Sequence, residues 1–171
     1  MVYAEELGMT IKLLGTSRKL GEDTFTALVA PFLVGQKSPL YSVNDVFNAV
    51  FVHGNMLGDA MFYGSGAGKL PTASAVVADV VDEAKNLHAT NWSNEPMKLT
   101  PMEETEGRFF VRVKGVTEAQ AEAAFGKLQI VKVDSLPDEF GFITECMKQK
   151  EYKEKISKLN GEVIAMIRVK D

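Results

Sequence analysis

The last third of the chain carries an order of secondary-structure patterns that restricts the fold more than any other feature of the sequence. The predicted elements are Arg108–Lys114, Thr117–Lys127, Ile130–Asp134, Phe140–Met147, Glu151–Leu159 and Glu162–Lys170. The first alternates apolar and polar residues as a strand does, and the second begins at Thr117, a residue type that caps helices. The resulting order, strand–helix–strand–strand–helix–strand, is that of the split βαβ sandwich. We therefore predict a ferredoxin-like βαββαβ domain over residues 107–171.

The first half of the chain contains four more strand patterns, at Thr10–Thr16, Thr24–Leu33, Val46–Val52 and Asp59–Tyr63. Their connections are mostly short, which favours an antiparallel or mixed sheet. The third strand, VFNAVFV, has few polar residues in alternation, so we expect both of its faces to be buried. Residues 90–106 hold prolines and glutamates without a sustained period, which predicts a linker whose Trp92 is packed as a staple. We predict an α+β protein with one domain over residues 1–89 and a second over residues 107–171.

Residues 61–85, MFYGSGAGKLPTASAVVADVVDEAK, place a glycine-rich turn between a strand pattern and the strongest helix pattern in the chain, Pro71–His88. Four valines and an alanine fall on one stripe of that helix, at positions 76, 77, 80, 81 and 84. Proline suits the first helical turn because its missing N–H would have no partner there. An apolar strand, a glycine-rich turn and a helix are typical of sites that bind phosphates or dinucleotides.

The spacing of the glycines completes neither of the two common phosphate-binding motifs. A Walker A loop ending at Gly68-Lys69 would require glycine at position 63 and serine or threonine at position 70, where the chain has Tyr63 and Leu70. A Rossmann fingerprint would place its third glycine at Lys69 or Pro71. From spacing alone, a tight strand-to-helix connection is favoured over a primary nucleotide site.

Composition excludes several classes of function. The 171 residues carry a net charge of −4 with a pI near 5.3, which gives no electrostatic case for binding nucleic acid. A single cysteine, Cys146, excludes an internal disulfide and a cysteine-rich zinc site. No apolar run approaches the roughly 20 residues that span a bilayer, and the N-terminus has no signal-peptide pattern. These features predict a cytoplasmic protein without a membrane segment.

No group of residues in the sequence forms a convincing catalytic or metal-binding constellation. His53 and His88 have no second ligand at a metal-binding spacing. Cys146 has no local basic partner and is predicted to be a buried thiol. The acidic residues of the predicted helix, at positions 79, 82 and 83, are expected to form a solvated face. We therefore predict no catalytic residue and no metal site in this chain.

Two segments taken together resemble homoserine dehydrogenases. They are ELGMTIKLLG, Glu6–Gly15, and SVNDVFNAVFVHGNMLGDAMFYGSGAGKLPTASAVVADVVDEA, Ser42–Ala84. Within the second, the pattern GxGAGxxPTASAVVAD is highly specific as a combination. The residues after the predicted linker resemble the ACT-type regulatory domain found at the C-terminus of many bacterial members.

This resemblance implies an NAD(P)-dependent oxidoreductase that interconverts L-homoserine and L-aspartate 4-semialdehyde in threonine and methionine biosynthesis. In such enzymes the chain returns to the cofactor domain through the helix that follows the glycine turn. The backbone of Gly66, Ala67 and Gly68 is then expected to lie beside the nicotinamide half of NAD(P). A valine in place of Gly68 is expected to weaken cofactor use more than fold stability.

The resemblance also implies that the Rossmann domain and the catalytic lysine belong to a part of the enzyme that precedes a segment like Tyr3–Gly15. The chain is therefore expected to be a C-terminal fragment that is inactive by itself and binds no cofactor tightly. Lys12 lies in a strand motif downstream of the catalytic lysine, and we do not expect it to take that role. The residue that distinguishes NAD from NADP is expected to lie outside this sequence.

The family resemblance implies a homo-oligomer, at least a dimer, and L-threonine as an effector of the ACT-like domain. The stretch VKGVTEAQAEAAF, Val113–Phe125, has no Pro-Gly pair at its turn, and Glu118 places negative charge where an effector carboxylate would approach. A structural or dimerising role for this domain is therefore an alternative. The alternative for the whole chain is a stand-alone ACT-like protein that senses an amino acid or binds a partner.

Overall fold

The computed structural model describes residues 1–85 and 95–170, whose backbone forms an α+β fold with a mixed sheet. The helices are α1 (Val2–Glu6), α2 (Lys69–Ala84), α3 (Glu118–Phe125) and α4 (Gln149–Ile156). The strands are β1 (Met9–Lys19), β2 (Thr24–Gly35), β3 (Phe47–Gly54), β4 (Gly58–Ser65), β5 (Lys98–Leu99), β6 (Glu106–Lys114), β7 (Leu128–Val131), β8 (Glu139–Thr144), β9 (Met147–Lys148) and β10 (Glu162–Lys170). The predicted fold class is confirmed, and the predicted βαββαβ order is present with β9 as a short addition.

The chain divides into two compact units, one formed by residues 1–38 and 96–170 and the other by Pro39–Glu95. The N-terminal hairpin thus belongs to the same unit as the βαββαβ elements. Part of the predicted linker is ordered in this unit, because β5 pairs in parallel with β2. The predicted positions of Trp92 and His88 lie outside the described residues. The division into functional domains over residues 1–89 and 107–171, joined by a linker, stays a prediction.

The strands of the first unit follow the order β1-β2-β10-β6-β8-β7. β1 and β2 form a long antiparallel hairpin that runs from Met9 opposite Gly35 to Lys19 opposite Phe25. β10 pairs in parallel with β2 on one side and antiparallel with β6 on the other. This one strand therefore joins the N-terminal hairpin and the C-terminal strands into a continuous sheet.

Both faces of this sheet bury apolar side chains, because successive residues of a strand point to opposite faces. On one face the buried cluster includes strand residues and side chains from α3 and α4, namely Phe109, Val111, Val113, Ala121, Phe125, Phe140, Phe142, Met147 and Tyr152. The other face is covered by α1, and its cluster consists of Tyr3, Ala4, Leu33, Phe110, Val131, Val133, Ile143 and Val169. Burial on the first face raises the pKa of the Tyr152 hydroxyl to about 12.

α3 begins at the predicted cap. The Thr117 hydroxyl accepts a hydrogen bond from the Gln120 backbone N–H at 3.3 Å, and the Gln120 side-chain oxygen accepts one from the Thr117 N–H at 2.8 Å. This reciprocal pair is a capping box, which satisfies donors that the first helical turn leaves unpaired. The helix ends at Gly126, whose φ of 84° suits a residue without a side chain.

The predicted strand Phe140–Met147 is interrupted, and the prediction of a buried Cys146 is wrong. Phe110 of β6 pairs with Ile143, whereas Gly107 pairs with Met147. The segment that faces β6 therefore has one more residue than β6 over this interval. An extra residue in one strand forms a bulge that leaves the regular ladder. Cys146 lies at this step and is exposed.

The second unit contains the hairpin β3–β4 and the helix α2. The hairpin pairs Phe47 with Ser65 at one end and Gly54 with Gly58 at the other, and the rings of Phe47 and Tyr63 stack 4.9 Å apart. The valines of the predicted stripe on α2 are exposed, as are the β3 side chains that were expected to be buried on both faces; they are Val76, Val77, Val80, Val81, Phe47, Val50 and Val52. Large apolar surfaces of this kind mark contacts with another protein surface.

Within residues 1–85 and 95–170, no helix is long and apolar enough to cross a membrane.

Candidate functional site

The glycine turn connects the end of β4 to the start of α2 with three residues, Gly66, Ala67 and Gly68. The Gly66 N–H donates a hydrogen bond to the Val46 carbonyl oxygen at 3.2 Å, which fixes the turn to the chain just before β3. Gly68 is the N-cap of α2. The structure therefore brings the three predicted cofactor-contacting residues together in one continuous segment of backbone.

The start of α2 has the properties of an anion-facing helix end. Gly68 makes no side-chain cap hydrogen bond, and the first turn carries no acidic residue. Lys69 is the first helical residue, and Pro71 falls within the first turn as predicted. The Thr72 N–H donates to the Gly68 carbonyl oxygen at 3.2 Å, so regular helical bonding begins there. The N–H groups at such a helix start and the partial positive charge of the helix dipole favour a negatively charged ligand.

The whole turn is accessible. Every residue from Met61 to Leu70 is exposed. The backbone of Ala67 and Gly68 is therefore open to solvent, and the Asn48 side chain lies against Gly66.

The two glycines of the turn and Gly64, near the end of β4, differ in how strictly the fold requires a glycine. A Cβ added at Gly66 would collide with the Asn48 side chain, which is exposed and would have to rotate away. Gly68 has φ 113° and ψ 157°, a backbone region that is almost exclusive to glycine. A Cβ at Gly64 would meet no atom within 4 Å. The expectation that a valine at Gly68 affects cofactor use more than stability is therefore revised, because strain at that position also costs stability.

An open groove of about 680 Å³ lies in the first unit, where the turn after β6 meets the loop between β7 and β8. Glu118 and Lys132 both line it and form an ion pair. Asp134, Asp138 and Glu139 add further carboxylates to the lining. The predicted negative charge beside the start of α3 is thus present, and the capping box already occupies donors that an effector carboxylate would need.

Glu139 also connects this groove to α1. Its carboxylate accepts hydrogen bonds from the Arg112 Nε at 2.7 Å and from the Tyr3 hydroxyl at 3.4 Å. The Arg112 guanidinium lies 5.7 Å from the centre of the Tyr3 ring. Burial, followed by the nearby Glu139 charge, raises the pKa of Tyr3, so this hydroxyl stays protonated and remains a donor.

The cross-strand pairing of the hairpin brings together two residues that spacing did not connect. His53 lies opposite Asp59, and the His53 Nδ1 is 2.5 Å from the Asp59 carboxylate. Both side chains are largely exposed, at 78% and 61%. Hairpin register alone would have revealed this pair. In the described part of the chain, no three His, Cys, Asp or Glu residues form a group that could hold a metal ion.

Comparisons with known proteins find homoserine dehydrogenases as relatives along most of the chain. The family model for homoserine dehydrogenase matches residues 1–81. The homoserine dehydrogenase of Neisseria gonorrhoeae is 40% identical over 127 residues, which cover 68% of this chain and 29% of that protein. The Pseudomonas aeruginosa enzyme of the same name is 34% identical over 163 residues, covering 89% of this chain and 36% of that protein. The chain thus spans about a third of the length of these relatives.

Solved structures give the same result. A homoserine dehydrogenase from Thiobacillus denitrificans superposes with a TM-score of 0.78 at 29% identity, covering 99% of this chain and 44% of that chain. A homoserine dehydrogenase from S. aureus superposes with a TM-score of 0.73 at 30% identity, covering 98% of this chain and 43% of that chain. The similarity in fold therefore extends over both compact units.

We expect Gly68→Ala to lower the free energy of unfolding of the second unit by about 1–3 kcal/mol, because an L side chain is strained in this backbone region. Gly64→Ala is the matched control and should change stability by less than about 1 kcal/mol, since its Cβ meets open space. Urea denaturation of both variants provides the measurement. Equal stability of the two variants would contradict the role assigned to Gly68.

Proposed function

Because the chain belongs to the homoserine dehydrogenase family, we propose that it is the C-terminal part of an enzyme that interconverts L-homoserine and L-aspartate 4-semialdehyde with NAD(P). This reaction belongs to threonine and methionine biosynthesis. The observation that carries the proposal is the exposed turn Gly66–Gly68 at the start of α2, within residues 1–81 that match the family model.

The residues of the turn fit a role beside the nicotinamide half of the cofactor. Gly66 and Gly68 carry no side chain, so the backbone can approach a flat ring closely. The helix start has no side-chain cap, and no carboxylate of its first turn opposes a negatively charged ligand. Bound NAD(P) would supply the hydride acceptor or donor, and the backbone of the turn would position it.

The catalytic groups belong, in this proposal, to the part of the family that this chain does not match. The matched region is 29% of the Neisseria gonorrhoeae enzyme and 36% of the Pseudomonas aeruginosa enzyme. The described residues offer no cluster of titratable side chains around the turn, and the titratable pair on the hairpin, His53 and Asp59, is solvent-exposed. The chain alone therefore supports cofactor positioning and assembly and does not perform hydride transfer.

We expect the 171-residue chain alone to show no turnover of homoserine with NAD(P). A chimera in which it replaces the corresponding region of the Pseudomonas aeruginosa enzyme should be active, because that region is 34% identical over 163 residues. Absorbance of NAD(P)H measures both. Turnover by the isolated chain would refute the proposal that the catalytic groups lie outside it. A folded chimera without activity would refute the assignment of function.

In the active chimera, Gly64→Ala should raise the KM for NAD(P) about threefold or more while leaving the melting temperature within about 2 °C, because one added methyl group intrudes only where the cofactor approaches. Gly15→Ala is the control, since Gly15 lies in β1 and its added Cβ would make an ordinary contact with Val29. An unchanged KM in Gly64→Ala would favour a purely structural turn.

The groove beside the start of α3 argues against L-threonine as its ligand. The effector's carboxylate would approach a helix end at which the Thr117 and Gln120 N–H groups are already bonded within the capping box. It would also approach Glu118, which is paired with Lys132. We infer that the ACT-like region of this chain serves assembly of the enzyme, and that threonine does not regulate it through this groove.

We expect the chain to self-associate, since β3 and α2 expose large apolar side chains that include Val50 at 63%. Light scattering at micromolar concentration should give at least twice the chain mass of 18.7 kDa. Val50→Lys should weaken association, because it places a charge on the apolar hairpin. Leu20→Lys, at an exposed site in the β1–β2 turn, is the control. A monomer at all concentrations would contradict the expectation.

A further inference from the structure

Residues 98–105 follow the point at which the chain returns to the first compact unit, and we call them the strap. The strap contains β5 and one 3₁₀ turn, Met102–Glu104. Most of its residues are exposed, so little buried surface holds it in place. Its position therefore depends on the hydrogen bonds and ion pairs that it makes at its two ends.

The first end of the strap joins β2 near the tip of the β1–β2 hairpin. The Lys98 N–H donates a hydrogen bond to the Asp23 carbonyl oxygen at 2.7 Å, and the Thr100 N–H donates one to the Phe25 carbonyl oxygen at 2.8 Å. Parallel strands pair slightly less stably per residue than antiparallel ones, and β5 contributes two residues to its pairing with β2. We therefore expect this end to open easily unless the rest of the strap is held.

The second end of the strap caps α4. The Thr105 carbonyl oxygen accepts a hydrogen bond at 3.0 Å from the N–H of Gln149, the first residue of α4. Within the described residues, the side chain of the N-cap residue Lys148 makes no capping hydrogen bond. The first N–H groups of a helix have no partner inside the helix, so Thr105 supplies a bond that α4 cannot supply itself.

Two ion pairs fix the 3₁₀ turn of the strap to the region of α4. The Lys153 Nζ donates a hydrogen bond to the Glu103 carboxylate at 3.0 Å, and the Lys148 Nζ donates one to the Glu104 carboxylate at 2.8 Å. These hydrogen bonds lower the pKa of both carboxyl groups, which therefore stay ionised at neutral pH. All four side chains are about half exposed, so dissolved salt screens both pairs.

The start of α4 is also tied to the buried core. The ring of Tyr152, 5% exposed, stacks on the ring of Phe109 with 4.7 Å between the ring centres. The buried side chain of Gln149 accepts a hydrogen bond from Arg168. The residues that carry the strap therefore lie directly beside residues of the core, and a change in the strap reaches the first turn of α4.

We propose that the strap is a charge-dependent latch, in which the pairs Glu103–Lys153 and Glu104–Lys148 hold β5 against β2 as well as α4 against the strap. The link between its two ends is short and stiff. Pro101, whose ring fixes φ, follows Thr100 directly, and its carbonyl oxygen accepts a hydrogen bond from the Glu104 N–H at 3.0 Å. Loss of charge at one end therefore loosens the strand pairing at the other. The latch lies within the first unit and does not depend on the reaction proposed above.

The test measures amide hydrogen exchange of the 171-residue chain by NMR at low ionic strength. Lys153→Glu should make the Thr100 N–H exchange about two- to fivefold faster, the range that an exposed ion pair supports, although Thr100 belongs to neither pair. Glu151→Gln is the matched control, because Glu151 pairs with Lys155 inside α4, and it should leave exchange at Thr100 unchanged. The N–H of Ile143, in the buried strand β8, reports on global stability and should be unaffected by both substitutions.

A second variant separates charge from shape. Glu103→Lys combined with Lys153→Glu recreates the attraction with the signs exchanged, so it should restore slow exchange at Thr100. In the unsubstituted chain, about 1 M NaCl should accelerate exchange at Thr100 by a factor similar to that of Lys153→Glu, because it screens both pairs. Unchanged exchange at Thr100 in Lys153→Glu would overturn the latch. Equal acceleration at Ile143, or failure of the exchanged pair to restore Thr100, would overturn it as well.

Discussion

The parallel pairing of β10 with β2 is the interaction on which the larger unit depends. Only three residues take part on each strand, with Arg168 opposite Phe32, Val169 opposite Leu33 and Lys170 opposite Val34. Leu33 and Val34 are 1% and 0% exposed, so this short contact lies in the dry interior of the sheet. Without it, the hairpin β1–β2 would lose the strand that joins it to the C-terminal strands of the sheet. The burial of one such side chain stabilises the fold by about 1.5–3 kcal/mol.

The glycines around the start of α2 differ in whether the backbone conformation requires them. Gly68 has a backbone conformation that other residues rarely adopt, which is a requirement of the fold. Gly64 has no such requirement and no neighbour that would exclude a side chain. The fold of the described residues therefore gives no reason for a glycine at position 64.

The larger unit has two grooves at the two ends of β6, and the described side chains that line them differ in charge. One end of β6 leads to Glu118 and the carboxylates of the β7–β8 loop, and the other begins near Arg108. At the acidic end, the capping box at Thr117 pairs two of the N–H groups of the helix start. The strands between the grooves bury mainly apolar side chains, and Arg168 is a buried charge among them.

The sequence determined the elements of the fold, because hydrophobic periodicity and capping are local properties. The strand Glu162–Lys170 was predicted to the residue, and the Thr117 cap and the position of Pro71 in the first turn of α2 were also confirmed. The resemblance of the glycine turn identified the family. Only the tertiary structure decided which elements share a sheet, that Cys146 is exposed by a one-residue bulge, and that three basic residues distant in sequence, Lys37, Arg108 and Lys170, line one groove. Strand pairing and register join residues far apart in the chain, and no local pattern encodes that choice.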